Sequence, residues 1–312
     1  MYNEEIKKRF FEESGSNKKV AGSITIAFEE ISVFEKELGR DVFEMTLLEV
    51  KQCLNNVDFL ESSTLSTTIT ALKSYAKWCA QNNIFKDCPG GIFAITPKDV
   101  DPAIAMEKRL FKDENFLNAA ISKVRTFSDG YPEVMAAVLL WSGLTMPQVF
   151  RLRDEHINLE TGVVLNEDGS EVIAELSPWA LSKAQQYART KSGLRENASG
   201  PYEVVCDKSF DSFIKRFCTT NSKSYGMRLT YNQIVAGITR MRIAYEDLGY
   251  TQQFSSTNIR RSGALFRLWK LEQSGVNLEA PGNRTLVEST YGAKKYYGII
   301  WQYKNYKRAF NL

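Results

Sequence analysis

Two adjacent arginines, Arg260 and Arg261, lie near the start of an amphipathic stretch that runs from Ser255 to Lys270. Ser, Thr and Asn residues precede its apolar positions, which predicts a helix that begins near Thr257. The first turn of such a helix presents both guanidinium groups beside backbone N–H groups that favour an anion. Forked guanidinium groups match phosphate oxygens, so the pair predicts phosphate binding, with two solvated surface arginines as the alternative.

The positive charge of the chain is concentrated around this pair. Residues 201–312 contain eight lysines and nine arginines against eight acidic residues, a net charge of +9, whereas residues 1–200 have a net charge of −6. Such a basic third is typical of a protein that binds nucleic acid, and a basic face that only aids solubility is the alternative. The candidate DNA contacts in this third are Lys223, Arg228, Arg240, Arg242, Arg260 and Arg261.

A second candidate DNA-binding face lies in the N-terminal part of the chain. After a predicted cap at Ser62–Thr64, apolar residues recur at helical spacing over residues 65–79. The opposite face carries hydroxyls and lysines, which can follow a phosphate backbone without reading bases. Plain solvated surface is the alternative. The candidate contacts on this face are Ser66, Thr67, Lys73 and Lys77.

Composition excludes several other classes of protein. The 312 residues suffice for two domains with their own cores. No apolar run approaches the roughly 20 residues of a membrane helix, and the N-terminus has no apolar signal segment. A single histidine, His156, argues against a zinc site, and no cofactor is expected. Five scattered cysteines predict reduced thiols in a cytoplasmic protein: Cys53, Cys79, Cys88, Cys206 and Cys218.

Helices dominate the predicted structure. Helical periodicity fills residues 1–85, and prolines and glycines then interrupt it, which predicts a first domain over 1–85, a linker over 86–103 and a second domain over 104–312. In the second domain, strands near 163–165 and 172–176 flank a turn at Asn166–Gly169 and predict a β-hairpin. After a helix over 178–190 come a predicted loop, a helix around Phe210–Cys218 and another over Tyr231–Leu248.

With these pieces in order, the chain resembles the tyrosine recombinases, the family of phage integrases, over nearly its whole length. Residues 62–89 are similar to the last helix of the family's core-binding domain, residues 111–121 and 138–164 to the opening of its catalytic domain, and residues 255–268 to its second catalytic box. The resemblance implies a mainly α architecture with a small β part, in which a helical core-binding domain precedes a catalytic-like domain. It also implies double-stranded DNA as the partner.

In that family a tyrosine attacks a DNA phosphodiester, two arginines stabilise the transferring phosphoryl group, and a hairpin lysine and histidines move protons. Of these arginines, lysine and histidines, this chain retains only Arg260. The other positions are occupied by Thr145 (first arginine), Gln148 (acidic residue), Asn166 or Glu167 (lysine) and Thr257 (histidine), and no histidine follows His156. Arg151 and Arg153 lie about one and a half to two turns further along, and replacement of the first arginine by one of them is the less favoured alternative.

The nucleophile position is ambiguous. Tyr291, 31 residues after Arg260, has the expected separation, whereas Tyr303 matches the tail of some phage members. Tyr296, Tyr297 and Tyr306 are further candidates, and all of these tyrosines could instead pack a C-terminal helix or exchange it between protomers.

Removing one preorganised donor that stabilises the transition state lowers the rate of reaction by a factor of about 10²–10³. Each general acid or base contributes a further factor of roughly 10²–10⁴ to that rate. The resemblance therefore implies an inactive recombinase fold that has kept DNA binding. We expect a sequence-specific DNA-binding protein, a phage transcriptional repressor that maintains lysogeny, whose two domains clamp a duplex in the nucleoid of a bacterial host. The alternatives are an active recombinase with a re-sited catalytic set and an architectural accessory protein. A protein or peptide regulator is a further candidate partner, and the oligomeric state stays open.

Overall fold

The computed structural model of the chain describes residues 1–13, 18–57, 61–85, 89–124, 131–197 and 200–312. It is mainly helical with two small antiparallel sheets, so the predicted fold class is confirmed. The helices are α1 (Glu4–Glu13), α2 (Lys18–Leu38), α3 (Leu47–Asn56), α4 (Ser62–Gln81), α5 (Gly91–Ala94), α6 (Pro102–Arg109), α7 (Glu114–Lys123), α8 (Pro132–Trp141), α9 (Met146–Arg151), α10 (Pro178–Arg189), α11 (Tyr231–Asp247), α12 (Ser256–Gln273), α13 (Arg284–Tyr291) and α14 (Tyr296–Phe310). The strands are β1 (Val163–Leu165), β2 (Val172–Glu175), β3 (Ser192–Asn197), β4 (Gly200–Asp207) and β5 (Arg216–Cys218).

The chain forms two compact units. The first comprises Met1–Met106 and Lys304–Leu312, and the second comprises Glu107–Tyr303. The domain boundaries predicted above stay a prediction, and residues 86–88, with Cys88, lie outside the described residues. The later part of that predicted linker contributes Ile92 and Ile95 to the core of the first unit.

The first unit is organised around an aromatic core. Phe10, Phe28 and Tyr75 bring α1, α2 and α4 together, and the rings of Phe28 and Tyr75 meet edge to face at 5.5 Å. The predicted apolar stripe of α4 is buried, whereas its predicted cap at Ser62–Thr64 is wrong. The helix begins at Ser62, and Glu61 at the N-cap makes no side-chain cap hydrogen bond.

In the second unit, α8 lies at the centre and is buried along its whole length, as its almost entirely apolar sequence predicts. Helices α11 and α12 pack against it. A Cβ atom at Gly263 of α12 would overlap the carbonyl group of Trp141 in α8, so glycine permits the close approach of these helices. This packing fixes the position of α12, which carries the arginine pair.

The two sheets differ in how well the sequence predicts them. Strands β1 and β2 pair antiparallel, with Val163 opposite Glu175, which confirms the predicted hairpin. Strands β3, β4 and β5 form a second antiparallel sheet where the sequence predicts a loop and then a helix around Phe210–Cys218. That predicted helix is wrong because residues 216–218 pair with β4, and ladder hydrogen bonds outweigh a weak local helical preference.

Over the described ranges, no helix combines the length and the apolar composition of a membrane-spanning segment.

Candidate nucleic-acid interface

The arginine pair lies in the first turns of α12. Ser255 caps the helix by accepting a hydrogen bond from the backbone N–H of Asn258 at 3.1 Å. Arg260 and Arg261 are both half-buried. Their guanidinium groups are therefore held near the helix start and still reach solvent.

Arg260 lies between two glycines of the second unit. Its Nε donates to the carbonyl oxygen of Gly143 at 3.0 Å, and its terminal nitrogen occupies the space that a Cβ atom at Gly292 would need. Both glycines have positive φ values, +111° and +77°, which glycine adopts without strain. Backbone geometry at two separate loops thus positions Arg260.

Arg261 contacts the tyrosine that the sequence places at the expected nucleophile position. Its Nε donates to the Tyr291 hydroxyl at 3.2 Å, and that hydroxyl donates to Oε1 of Gln302 at 2.6 Å. The second unit therefore brings Arg260, Arg261 and Tyr291 to one place.

Tyr303 lies in a different environment. It is buried, and its hydroxyl donates to Glu272 at 2.7 Å. Burial raises the pKa of this hydroxyl well above its usual value, and the Glu272 carboxylate adds to the effect. A tyrosine in this position packs the C-terminal helix and does not present its oxygen to a phosphate.

A third arginine, Arg267, joins the cluster from the next two turns of α12. It donates to the carbonyl oxygens of Trp141 and Thr290, the latter at 3.5 Å. Burial lowers the pKa of its guanidinium to about 10, and the charge of Arg260 adds to this shift. Sequence reasoning missed this residue, although seven-residue spacing puts it on the same helical face as Arg260.

The other positions at which the resemblance implies catalytic residues hold a helix cap, an exposed ion pair and an exposed threonine. Thr145 is the N-cap of α9 and forms a capping box with Gln148. In the hairpin, Glu167 pairs with Arg151 at 3.2 Å, both side chains being exposed. Thr257 is exposed in the first turn of α12.

The other candidate groups near the first catalytic box also have structural partners. Arg153 lies 3.7 Å from Glu155 and 3.5 Å from Asp211. His156 is buried, and its Nδ1 accepts from the backbone N–H of Arg153 at 3.2 Å. These contacts tie both residues to their local loop.

The candidate face on α4 is solvent-exposed. Ser66, Thr67 and Lys77 are exposed, and Lys73 is half-buried at its flank. Exposed Thr70 and Ser74 extend the row of hydroxyls, and each donates to a backbone carbonyl one turn earlier. The exposed positions of α4 carry no acidic residue, so the face has no negative charge that would repel a phosphate.

The structure places the other predicted cations in the second unit, and two of them face acids. Arg240 donates to Glu133 at 3.0 Å, and Arg242 lies 3.7 Å from Glu246. Arg228 is exposed, donates to the Phe150 carbonyl oxygen at 3.1 Å and stacks over the Phe150 ring. Lys223 is exposed in the loop before α11.

Residues 1–81 match the family model described as MrpR, N-terminal core-binding domain. This N-terminal part, which contains the α4 face up to Gln81, is therefore similar to that core-binding domain. No curated protein matches the sequence.

Solved structures with a similar arrangement include recombinases and integrases. They are XerA recombinase (12% identity over 97% of this chain and 93% of that one, TM-score 0.40), a variant of the Tn1549 transposon integrase in complex with transposon right end DNA (13%, 96% and 93%, TM-score 0.39) and an integrase from mycobacterium phage Brujita (13%, 97% and 91%, TM-score 0.34).

Proposed function

We propose that this protein binds double-stranded DNA in a sequence-specific manner, does not cut it, and represses phage transcription to maintain lysogeny. Its overall likeness among degenerate recombinases is to the integrase-like master repressor of SPβ-type Bacillus phages. The observation that carries the proposal is the cluster of Arg260, Arg261 and Arg267 around Gly143 and Tyr291.

The cluster suits a DNA phosphate for electrostatic reasons. Arg260 and Arg267 are neighbours: burial lowers the pKa of Arg267, and the like charge of Arg260 adds to this shift. A phosphate oxygen beside Arg260 would offset that repulsion through charge-assisted hydrogen bonds. The cost of holding the cations together is then recovered when DNA is bound.

The proposal that the protein does not cut DNA rests on the residues that occupy the other catalytic positions. A helix cap at Thr145 and an acidic side chain at Glu167 supply neither a second phosphate clamp nor a proton donor. Arg267 supplies positive charge near Gly143, but its donors are directed at backbone carbonyls. Without an acid for the leaving oxygen, strand cleavage loses roughly 10²–10⁴ in rate from that group alone.

The second candidate is an active recombinase, and the contact between Arg261 and Tyr291 favours it, because a cation beside a tyrosine hydroxyl stabilises its ionised, nucleophilic form. A nicked suicide duplex that traps phosphotyrosine separates the two. Binding at nanomolar DNA without a covalent adduct supports the repressor, whereas an adduct that disappears in Tyr291→Phe establishes the enzyme.

Mapping of the DNA sites that the protein occupies in lysogenic cells tests the proposed repression of transcription. Occupied sites that overlap promoters of lytic genes support repression. Sites confined to an attachment region would instead favour the third reading, an accessory protein that bends DNA during recombination.

A further inference from the structure

A cavity of about 230 Å³ lies in the second unit, where the first turn of α8 meets β3, β5 and α11. It is lined by three arginines, one each from β3, β5 and α11, which are Arg195, Arg216 and Arg240. Glu133 of α8 is the one acidic residue among the described residues that line it. We call this site the three-arginine pocket. Of its cations, only Arg240 belongs to the predicted DNA contacts.

The carboxylate of Glu133 holds two of the guanidinium groups together. Glu133 is only 4% exposed, and its Oε1 accepts from a terminal nitrogen of Arg195 at 3.2 Å and from one of Arg240 at 3.0 Å. Gly237 leaves room for this side chain, because a Cβ atom there would overlap it. A buried carboxylate thus brings cations of β3 and α11 to one point.

Arg216 is fixed in the wall of the pocket by residues at and before the start of α11. Its Nε donates to the carbonyl oxygen of Met227 at 2.8 Å. One of its terminal nitrogens donates to the carbonyl oxygen of Arg228 at 2.9 Å and to the side chain of Gln233 at 2.8 Å. A ligand can use the second terminal nitrogen, which none of these hydrogen bonds involves.

The lining of the pocket carries an excess of positive charge, because three guanidinium groups face one carboxylate. Asp207, opposite Arg216 in β4, offsets part of this charge from outside the cavity, since it accepts from the backbone N–H groups of Ser209 and Gly226 and does not line the pocket. Like charges held close together disfavour one another, and an anion relieves that repulsion. A doubly charged anion relieves it more than a singly charged one does.

The number of hydrogen-bond donors selects the same kind of anion. A guanidinium group has five N–H donors, and Arg195 and Arg240 each use one terminal nitrogen for Glu133. Three guanidinium groups on different elements can surround an anion that has three terminal oxygens, whereas a carboxylate or a phosphodiester offers two. A phosphomonoester has three such oxygens and a charge of about −1.5 to −2 at pH 7. It therefore meets both requirements.

The size of the pocket allows for more than a water molecule or a single ion. One water needs only about 10–15 Å³ of such space, so a cavity of about 230 Å³ holds a group of several atoms. Leu229 and Ile234 supply an apolar part of the lining. Apolar lining favours an ester that carries carbon atoms over bare inorganic phosphate.

We propose that the three-arginine pocket binds the phosphomonoester group of a small molecule, whose terminal oxygens accept from Arg195, Arg216 and Arg240. This inference goes beyond DNA binding and does not rest on it, because the pocket can be titrated without DNA.

The test is isothermal titration calorimetry of the full chain at pH 8 with methyl phosphate, inorganic phosphate, dimethyl phosphate and acetate. Dimethyl phosphate has the two terminal oxygens and the single charge of the DNA backbone, so its comparison with methyl phosphate isolates the third oxygen and the second charge. We expect methyl phosphate to bind with a Kd below about 1 mM, at least about tenfold more tightly than dimethyl phosphate or acetate. Inorganic phosphate should bind no more tightly than methyl phosphate.

Variants locate the binding in the pocket. Arg195→Gln, at a half-buried position, and Arg240→Gln, at an exposed one, should each weaken methyl phosphate binding at least about tenfold. The matched control Arg189→Gln, at an exposed arginine of α10 outside the pocket, should bind methyl phosphate as the wild type does.

Several results would overturn the proposal. Equal affinities for methyl phosphate and dimethyl phosphate would assign the pocket to the DNA backbone, and tighter binding of inorganic phosphate would assign it to the free ion. No heat with any of the four compounds would exclude an anion site. A folded Arg195→Gln variant with wild-type affinity for methyl phosphate would place the binding elsewhere, and if that variant does not fold, Arg240→Gln provides the same comparison.

Discussion

Arg260 is fixed at both ends of its guanidinium group, which makes it the residue whose loss should be most visible in DNA binding. It donates to Gly143 and packs against Gly292. An arginine held in this way loses less conformational entropy when it binds a phosphate than a freely rotating one does.

We predict that Arg260→Ala weakens DNA binding by about 1–3 kcal/mol, as expected for a charge-assisted contact. Fluorescence anisotropy over a range of salt concentrations measures it, and the slope of log K against log salt should fall by about 1. The exposed Arg189→Ala serves as the charge-matched control. Equal affinities of the two variants at low salt would remove Arg260 from the interface.

Glycine at position 292 allows a second residue-scale test. Gly292→Ala strains a backbone with φ +77° and also displaces the Arg260 guanidinium. Gly169→Ala strains a similar backbone, φ +75°, but meets no atom within 4 Å. Each should lose about 1 kcal/mol of stability from the backbone. Only Gly292→Ala should also weaken DNA binding, and similar DNA affinities in the two variants would contradict this role.

At the residue scale, the sequence predicted part of this cluster. Its motif order singled out Arg260 and Arg261, and the spacing gave Tyr291 as one of five candidate tyrosines. Arg267 was missed, although helical periodicity alone would have placed it on the same face as Arg260. The positive-φ glycines that receive these side chains were not predictable, because a single sequence does not reveal which loop a guanidinium group contacts.

At the scale of elements, α1 and α2 are joined by a buried ion pair. Lys7 donates to Glu35, both side chains are fully buried, and Asp41 lies 3.9 Å from the Lys7 ammonium nitrogen. Burial raises the pKa of Glu35, and the charge of Lys7 opposes this shift. Removal of Lys7 therefore leaves the effect of burial on the Glu35 carboxyl unopposed by that charge.

We predict that Lys7→Met lowers the free energy of unfolding by about 3–5 kcal/mol, because it leaves Glu35 buried without its cation. The double variant Lys7→Met/Glu35→Leu should be less destabilised than the sum of the two single variants. Urea unfolding of all four proteins gives the coupling, and additive effects would show that the pair does not act as a unit.

The same variant carries a pH signature. Without Lys7, the pKa of Glu35 in the folded protein rises further above its unfolded value, so the folded state binds a proton that the unfolded state has released. Stability of Lys7→Met should therefore increase, relative to the wild type, as the pH falls from about 8 towards 5. A parallel pH dependence of the two proteins would contradict the assignment.

Helices α8 and α12 provide a test of packing in the second unit. Gly263→Ala places a Cβ atom on the Trp141 carbonyl group and should cost about 1–3 kcal/mol by forcing the helices apart. The matched control, Gly298→Ala in α14, has 4.0 Å to its nearest contact and should gain about 0.5–1 kcal/mol from helix propensity. Thermal unfolding distinguishes the expected loss of stability in Gly263→Ala from the expected gain in Gly298→Ala. An unchanged stability of Gly263→Ala would refute the close approach of α8 and α12.

Element prediction succeeded where caps and periodicity agreed and failed where composition misled. Ser255 and Thr230 cap helices that the sequence places correctly to within a few residues. Strands β3 and β4 were missed because their glycine, serine and asparagine residues favour a loop locally, and only their pairing makes them strands.

At the scale of the whole molecule, the division of charge is the property that the sequence determines most directly. With a net charge of −6 over residues 1–200 and +9 over residues 201–312, the C-terminal third would supply most of the attraction to DNA under the proposed function. The α4 face lies in the acidic part, yet its exposed positions carry hydroxyls and a lysine without acids. The charge division alone does not establish that the first unit also binds DNA, so a contact between the α4 face and DNA has to be measured directly.

We predict that Lys73→Ala/Lys77→Ala reduces the slope of log K against log salt by about 1.8, or 0.9 for each lost phosphate contact, while the preference among operator sequences stays the same. Backbone contacts carry no base information, so affinity should fall equally for specific and non-specific duplexes. The control Lys36→Ala/Lys98→Ala removes the same charge at two exposed positions of the first unit. If both double variants show the same slope, the α4 face does not touch DNA and the second unit binds it without help from α4.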